Sequence, residues 1–262
     1  GATNDGRKIH NDIAKKGLLE SNIAIGNALL DMYAKCGLLA EALEIFKEIH
    51  IPDVVSWTAL ISGYVDHKLC KEALDCFDQM KLEGIAPNTI TFACSLKACG
   101  NVGAIETSGK IHTEIVAKGL LERDIMLGNS LVDLYVKSGS LVKAQEVFDK
   151  LHTKTMVSWN ALISGYAEEG QGFEALNSFD CMQNEGIFPD VVTFICVLKA
   201  CSITRAIEKG NQIYEEILSC NLLAKDITLG TALVDMYAKC GVLSKAQEIL
   251  EELPIRNLVT WS

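Results

Sequence analysis

Displaced by 102 residues, the chain falls on itself. The stretch NALLDMYAKCGLLAEALEIF (27–46) lands on NSLVDLYVKSGSLVKAQEVF (129–148), and again on TALVDMYAKCGVLSKAQEIL (231–250). The same shift carries GRKIH (6–10) onto SGKIH (108–112) and TFACSLKAC (91–99) onto TFICVLKAC (193–201). A period kept over the whole chain calls for an array of like units. A shorter period lies inside it: Tyr33, Ala42 and Phe46 return 31 residues later as Tyr64, Ala73 and Phe77. Seven units follow, at 23–53, 54–88, 89–124, 125–155, 156–190, 191–226 and 227–257, cycling through lengths of 31, 35 and 36 residues. Residues 1–22 form part of an eighth, and LVTWS (258–262) begins another, so the chain reads as cut from a longer array.

Within a unit the period is helical. Leu29, Met32 and Tyr33 share one face, Gly37 offers a left-handed stop, and Leu39, Ala42, Leu43, Phe46 and Ile49 make a second apolar stripe. Each unit is therefore predicted to be a helical hairpin, with Pro52, Pro87 and Pro189 at junctions where one helix ends and another starts. One hairpin cannot bury both stripes, so neighbours must stack into a superhelical solenoid, whose hand this reasoning does not fix.

At 49% hydrophobic residues the chain has ample material for a core. No run approaches the roughly 20 apolar residues of a membrane helix, and the N-terminus lacks a signal-peptide pattern. The ten cysteines form no CxxC pair and read as reduced, mostly buried thiols. The formal charge of −10 weighs against nucleic-acid binding, which favours an excess of cations.

The duplicated segments VVSWTALISGY (54–64) and MVSWNALISGY (156–166) keep their apolar residues but exchange Thr58 for Asn160. Hairpins of this length include tetratricopeptide arrays, whose early Trp and Leu-Gly pair are missing here. By contrast, VVSWTALISGY…EALDCFDQMKLEGIAPN (54–88) resembles the plant pentatricopeptide consensus, LVDMYAKCG (233–241) its short variant and TFACSLKACGNVGAIETSGKIH (91–112) its long variant. The alternation of lengths resembles the PLS class of that family. The resemblance implies an all-α, right-handed α-solenoid binding single-stranded RNA, one base per unit.

Carried over, the base-selecting residues are Asn27, Thr58, Asn129, Asn160 and Thr231, assisted by Asp53, Asn88, Thr155, Asp190 and Asn257. Their family pairing implies the strand U-A-x-Y-U-x-A, read from the RNA 5′ end, with Y a pyrimidine. The long units carry Ala93 with Asp124 and Ile195 with Asp226, whose first members lack a hydrogen-bonding group and imply no selection. Those units can act as spacers or as docking surfaces for an editing helper protein. Asn and Thr have a second reading, as helix caps. Ala24, Val55, Met126, Val157 and Thr228 would pack against the bases, or between helices. Lys35, Lys137 and Lys239 recur at the long period as phosphate contacts, or as solvated surface lysines.

The PLS pattern implies service in organellar cytidine-to-uridine editing, in a mitochondrion or chloroplast, with the deaminase domain in cis or in a partner. Transcript stabilisation or splicing, and a protein-binding scaffold, are the alternatives. His112-Thr113-Glu114 is the first half of a zinc deaminase signature, but its PCxxC half is absent and the His is replaced by Tyr214 in the next copy. No metal, cofactor or catalysis is expected of this chain, and His112 is expected on a helix surface.

Overall fold

The computed structural model describes residues 2–17, 19, 22–223 and 226–252, of which residues 2–5 and 252 are described as backbone only. These residues form fifteen helices and, among them, no strand. In the first half lie α1 (Ala2–Lys15), α2 (Ile23–Lys35), α3 (Leu39–Glu48), α4 (Val54–Asp66), α5 (Cys70–Leu82), α6 (Thr89–Val102), α7 (Ile105–Ala117) and α8 (Ile125–Lys137). Then come α9 (Leu141–Asp149), α10 (Met156–Glu168), α11 (Gly172–Asn184), α12 (Val191–Thr204), α13 (Ile207–Ser219), α14 (Ile227–Lys239) and α15 (Leu243–Glu252). Two compact units, 1–134 and 135–262, divide the chain inside α8.

Each helix starts and stops for local reasons. Asp53 has extended backbone (φ −107°, ψ −176°), and its carboxylate accepts from the N–H groups of Val55 and Ser56, both at 2.9 Å. The Ser56 hydroxyl accepts in return from the Asp53 N–H at 3.2 Å, completing a capping box. Asn88, Thr155 and Asp190 repeat the box at the starts of α6, α10 and α12. At the other end of α2, Gly37 takes φ +75°; its N–H donates to Ala34 and that of Leu38 to Tyr33. This is a Schellman stop, at the position the sequence marked for it.

In the first compact unit α2 packs on α4 and α4 on α6; in the second α10 packs on α12 and α12 on α14. First helices thus line up against first helices. Second helices cover them, and at several junctions an aromatic pair joins a second helix to the next first helix. Phe46 meets Trp57 edge-on at 4.6 Å, Phe77 meets Phe92 at 6.1 Å, Phe148 meets Trp159 at 4.5 Å and Phe179 meets Phe194 at 6.5 Å.

Close approach of first helices depends on small residues. A Cβ on Gly63 would lie 2.6 Å from the Ala34 Cβ. Gly63→Ala must therefore push α2 from α4, and is expected to cost about 1–3 kcal/mol. Urea unfolding followed by circular dichroism reads that loss; a change below about 0.5 kcal/mol would show that the helices part freely.

Candidate nucleic-acid interface

The residues singled out in the sequence lie within the first helices, not at their ends. Asn27, Thr58 and Asn160 are each the fifth residue of a helix, so none is its cap. The caps are their assigned partners: Asp53 opens α4, Asn88 opens α6 and Asp190 opens α12. Capping is thus the role of the partner, which corrects the cap reading of the selecting residue.

Pairs 26 to 33 residues apart meet through hydrogen bonds. Asn27 Nδ2 donates to Asp53 Oδ1 at 3.2 Å, and the Ser56 hydroxyl donates to Asn27 Oδ1 at 2.6 Å. The arrangement recurs at Asn160, which stands at the long period from Thr58: Asn160 Nδ2 donates to Asp190 Oδ1 at 3.0 Å and the Thr193 hydroxyl donates to Asn160 Oδ1 at 2.6 Å. Thr58 is different. Its hydroxyl lies 2.6 Å from the Val54 carbonyl and 2.7 Å from the Thr91 hydroxyl, while Thr91 reaches Asn88 Oδ1 at 2.9 Å. The Thr91 N–H also donates to Asn88 Oδ1, at 2.8 Å, which turns the amide nitrogen of Asn88 away from the cap.

Charge follows from these contacts. Burial pushes the Asp53 carboxyl up, but the Ser56 N–H, the Asn27 amide, the Ser56 hydroxyl and the Val55 N–H outweigh it and hold the group below the ordinary aspartate range. At Asp190 burial also raises, and the Thr193 N–H and hydroxyl, the Asn160 amide and the Val192 N–H outweigh it. A lowered folded pKa means stability that is fully present above the unfolded value, near 3.9, and lost as pH falls through the folded value. Urea midpoints are therefore expected to hold between about pH 5 and 7 and to drop below about pH 4. Asp53→Asn, which removes one of these carboxylates, is expected to drop less; an equal drop would put the acid sensitivity elsewhere.

The long units lack this arrangement. Ala93 and Ile195 are half-buried and carry no polar group, and the helices that follow have Leu127 and Leu229 where α4 has Ser56. Asp226 caps α14 with φ −137° and ψ 109°, accepting from the N–H and hydroxyl of Thr228, without a box. Asp124 accepts from the N–H groups of Met126 at 2.9 Å and Leu127 at 3.2 Å. Of the remaining pairs, Thr231 donates to the Ile227 carbonyl at 3.1 Å and Asn257 lies outside the described residues. Thr155 caps α10, and Asn129 is half-buried on α8.

Ala24, Val55, Met126, Val157 and Thr228 are all exposed, so interhelical packing does not account for them. Ile90 and Val192, the second residues of the long units, are exposed in the same way. Lys35 and Lys239 lie 2.7 and 2.8 Å from Asp31 and Asp235, one turn earlier, so each lysine is partly neutralised. Lys137 is exposed at the same place on α8.

The acidity is not spread evenly. The first helices α2, α4, α6, α8, α10, α12 and α14 carry five lysines and five carboxylates. The second helices from α3 to α15 carry seven lysines against eighteen carboxylates. The negative charge that counted against nucleic acid thus sits on the covering layer.

His112 is half-buried instead of lying open on a helix surface. Its counterpart His10 hydrogen-bonds the Tyr33 hydroxyl at 3.0 Å, tying one hairpin to the next. Among the described residues no three His, Cys, Asp or Glu side chains gather as a metal site, and no helix is long and apolar enough to cross a membrane.

The model of the PPR repeat family matches residues 52–101 and 154–203, and that of the PPR repeat matches 27–50, 129–155 and 231–258. The chain belongs to the pentatricopeptide repeat family. Similar relatives are two Arabidopsis thaliana pentatricopeptide repeat-containing proteins. One is 38% identical over 98% of this chain and 45% of its own length; the other, named as chloroplastic, is 34% identical over 98% and 41%. This pentatricopeptide chain thus spans less than half the length of those relatives. Among solved structures, the pentatricopeptide repeat protein PPR10 in complex with an 18-nt psaJ RNA element superposes with a TM-score of 0.83, over 100% of this chain and 39% of that one, at 19% identity. PPR10 from maize, covering 90% of this chain and 35% of its own, gives 0.64 at 19% identity. The fold is therefore that of the pentatricopeptide hairpin array.

Proposed function

We propose that the chain is the recognition part of a sequence-specific single-stranded RNA-binding protein of the PLS class. The carrying observation is the hydrogen-bonded set that recurs in three units: Asn27 with Asp53, Thr58 with Asn88 through the Thr91 hydroxyl, and Asn160 with Asp190. The complex of PPR10 with its RNA element supports the reading by likeness of fold.

The chemistry of each pair supports the family's base assignment. At Asn27 one amide N–H is engaged by Asp53 and one oxygen lone pair by Ser56, leaving one donor and one acceptor for a base. The adjacent carboxylate favours a base edge bearing an N–H where adenine and cytosine carry a ring-nitrogen lone pair. Uracil and guanine have that edge, and of the two the family's pairing assigns uracil. At Thr58 the carboxylate is replaced by the neutral Asn88, whose amide N–H groups suit the lone pair on adenine. The exposed apolar second residues Ala24, Val55, Met126 and Val157 are assigned as packing surfaces for the bases, with Thr228 offering its methyl group.

Editing of an organellar transcript, with a deaminase domain in cis or in trans and a helper protein at the long units, is the cellular role proposed. Relatives named as chloroplastic support the plastid as its place. Filter binding to a labelled single strand, with the same sequence as duplex for competitor, tests the class of ligand: the single strand should win. A protein-binding scaffold would hold neither.

A further inference from the structure

We infer that the buried hydroxyl on the third residue of the following helix is a further specificity determinant: Ser56 for Asn27, Thr91 for the Thr58–Asn88 pair and Thr193 for Asn160. It is a positioning residue, and the inference rests on the base-reading role proposed above. All three side chains are fully buried, so none can touch RNA. Each nonetheless contacts the selecting side chain at 2.6 or 2.7 Å and the capping partner at 2.9 to 3.1 Å.

An amide anchored at one end pivots; anchored at both ends it presents a fixed edge. The carboxylate of Asp53 holds the nitrogen end of Asn27, and the Ser56 hydroxyl holds the oxygen end. A hydroxyl is suited to this position because it donates to Asn27 while accepting the Asp53 N–H, tasks that no apolar residue performs. At the Thr58 unit the same position anchors the oxygen of Asn88, leaving its N–H groups to face outward.

The pattern along the chain agrees. Units whose selecting residue is polar (Asn27, Thr58, Asn129, Asn160, Thr231) are followed by Ser56, Thr91, Ser158, Thr193 and Thr260 at that third position. Units whose selecting residue is apolar (Ala93, Ile195) are followed by Leu127 and Leu229. A hydroxyl needed only for capping would have no reason to follow the character of a residue in the preceding helix, since Asp124 and Asp226 cap without one.

The test titrates oligonucleotides varied only at the first or only at the fifth base of U-A-x-Y-U-x-A against wild type, Ser56→Ala, Ser56→Thr and Thr193→Val. A bidentate contact gives a preference on the order of tenfold. Ser56→Ala should reduce the first-base preference to about twofold, leave the fifth unchanged and be restored by Ser56→Thr. Thr193→Val, close in shape and so safe against misfolding of the Ser56 variant, should reverse the pattern. Full first-base preference in a folded Ser56→Ala protein, or equal loss at both bases, would overturn the inference while leaving base reading intact. A wild type without preference at either base would remove both.

Discussion

Thr58→Asn with Asn88→Asp is expected to turn the second base from adenine to uracil without changing the fifth. The graft is complete, because the third member is already in place: Thr91 stands to Thr58 and Asn88 as Thr193 stands to Asn160 and Asp190. Space is also available. The surrounding residues, Trp57, Ala59, Leu60 and Ile61, have the same identities as Trp159, Ala161, Leu162 and Ile163 around Asn160. A mismatched base costs on the order of 1–3 kcal/mol in measured protein–DNA sites, a factor of about 5 to 150, and the swing here combines a lost preference with a gained one. Titration with strands differing only at the second base reads it. A double mutant that still prefers adenine would mean that these side chains do not select the base.

Phe77→Ala should produce the largest loss of stability, about 3–5 kcal/mol from a total of about 5–15. Phe77 is 2% exposed, holds α5 against Phe92 of α6 and carries the Lys81 ammonium 5.5 Å from its ring centroid. Its removal opens the contact between adjacent hairpins, the step on which a stacked array depends. Leu82→Ala provides the control: Leu82 is 81% exposed and its loss should change stability by no more than about 0.5 kcal/mol. Chemical unfolding of both variants decides it. Similar midpoints would mean that the hairpins hold together without the aromatic contacts.

The hairpins were legible in the sequence because one physical demand, burial of two apolar stripes, recurs at every unit. Gly37 as a stop and the aromatic positions of Phe46 and Phe77 needed nothing beyond periodicity. The interface was less legible. Asn27 and Asp53 are far apart in the chain, and no local rule joins them; their pairing came from the resemblance, and the structure supplies the hydrogen bond. Capping was weighed for Asn and Thr inside the helix because both residue types cap well, while the true cap, Asp53, stands one residue before its helix. Ser56 escaped notice because a serine inside VVSW reads as filler in an apolar run, although its recurrence as Ser158 and as Thr91 and Thr193 was visible. The pairing of Lys35 with Asp31 was likewise open to a reading of four-residue spacing. Net charge was silent on placement, because a single sum cannot show that the acidic excess lies on the second helices.

Equilibrium binding of the chain to the single strand U-A-x-Y-U-x-A, beside a strand of equal length and composition with the five selected bases permuted, tests the central claim most directly. The matched strand should bind at least tenfold more tightly, since each selected base contributes on the order of 1–3 kcal/mol in comparable sites. Equal affinity for the two strands would contradict base reading by these side chains.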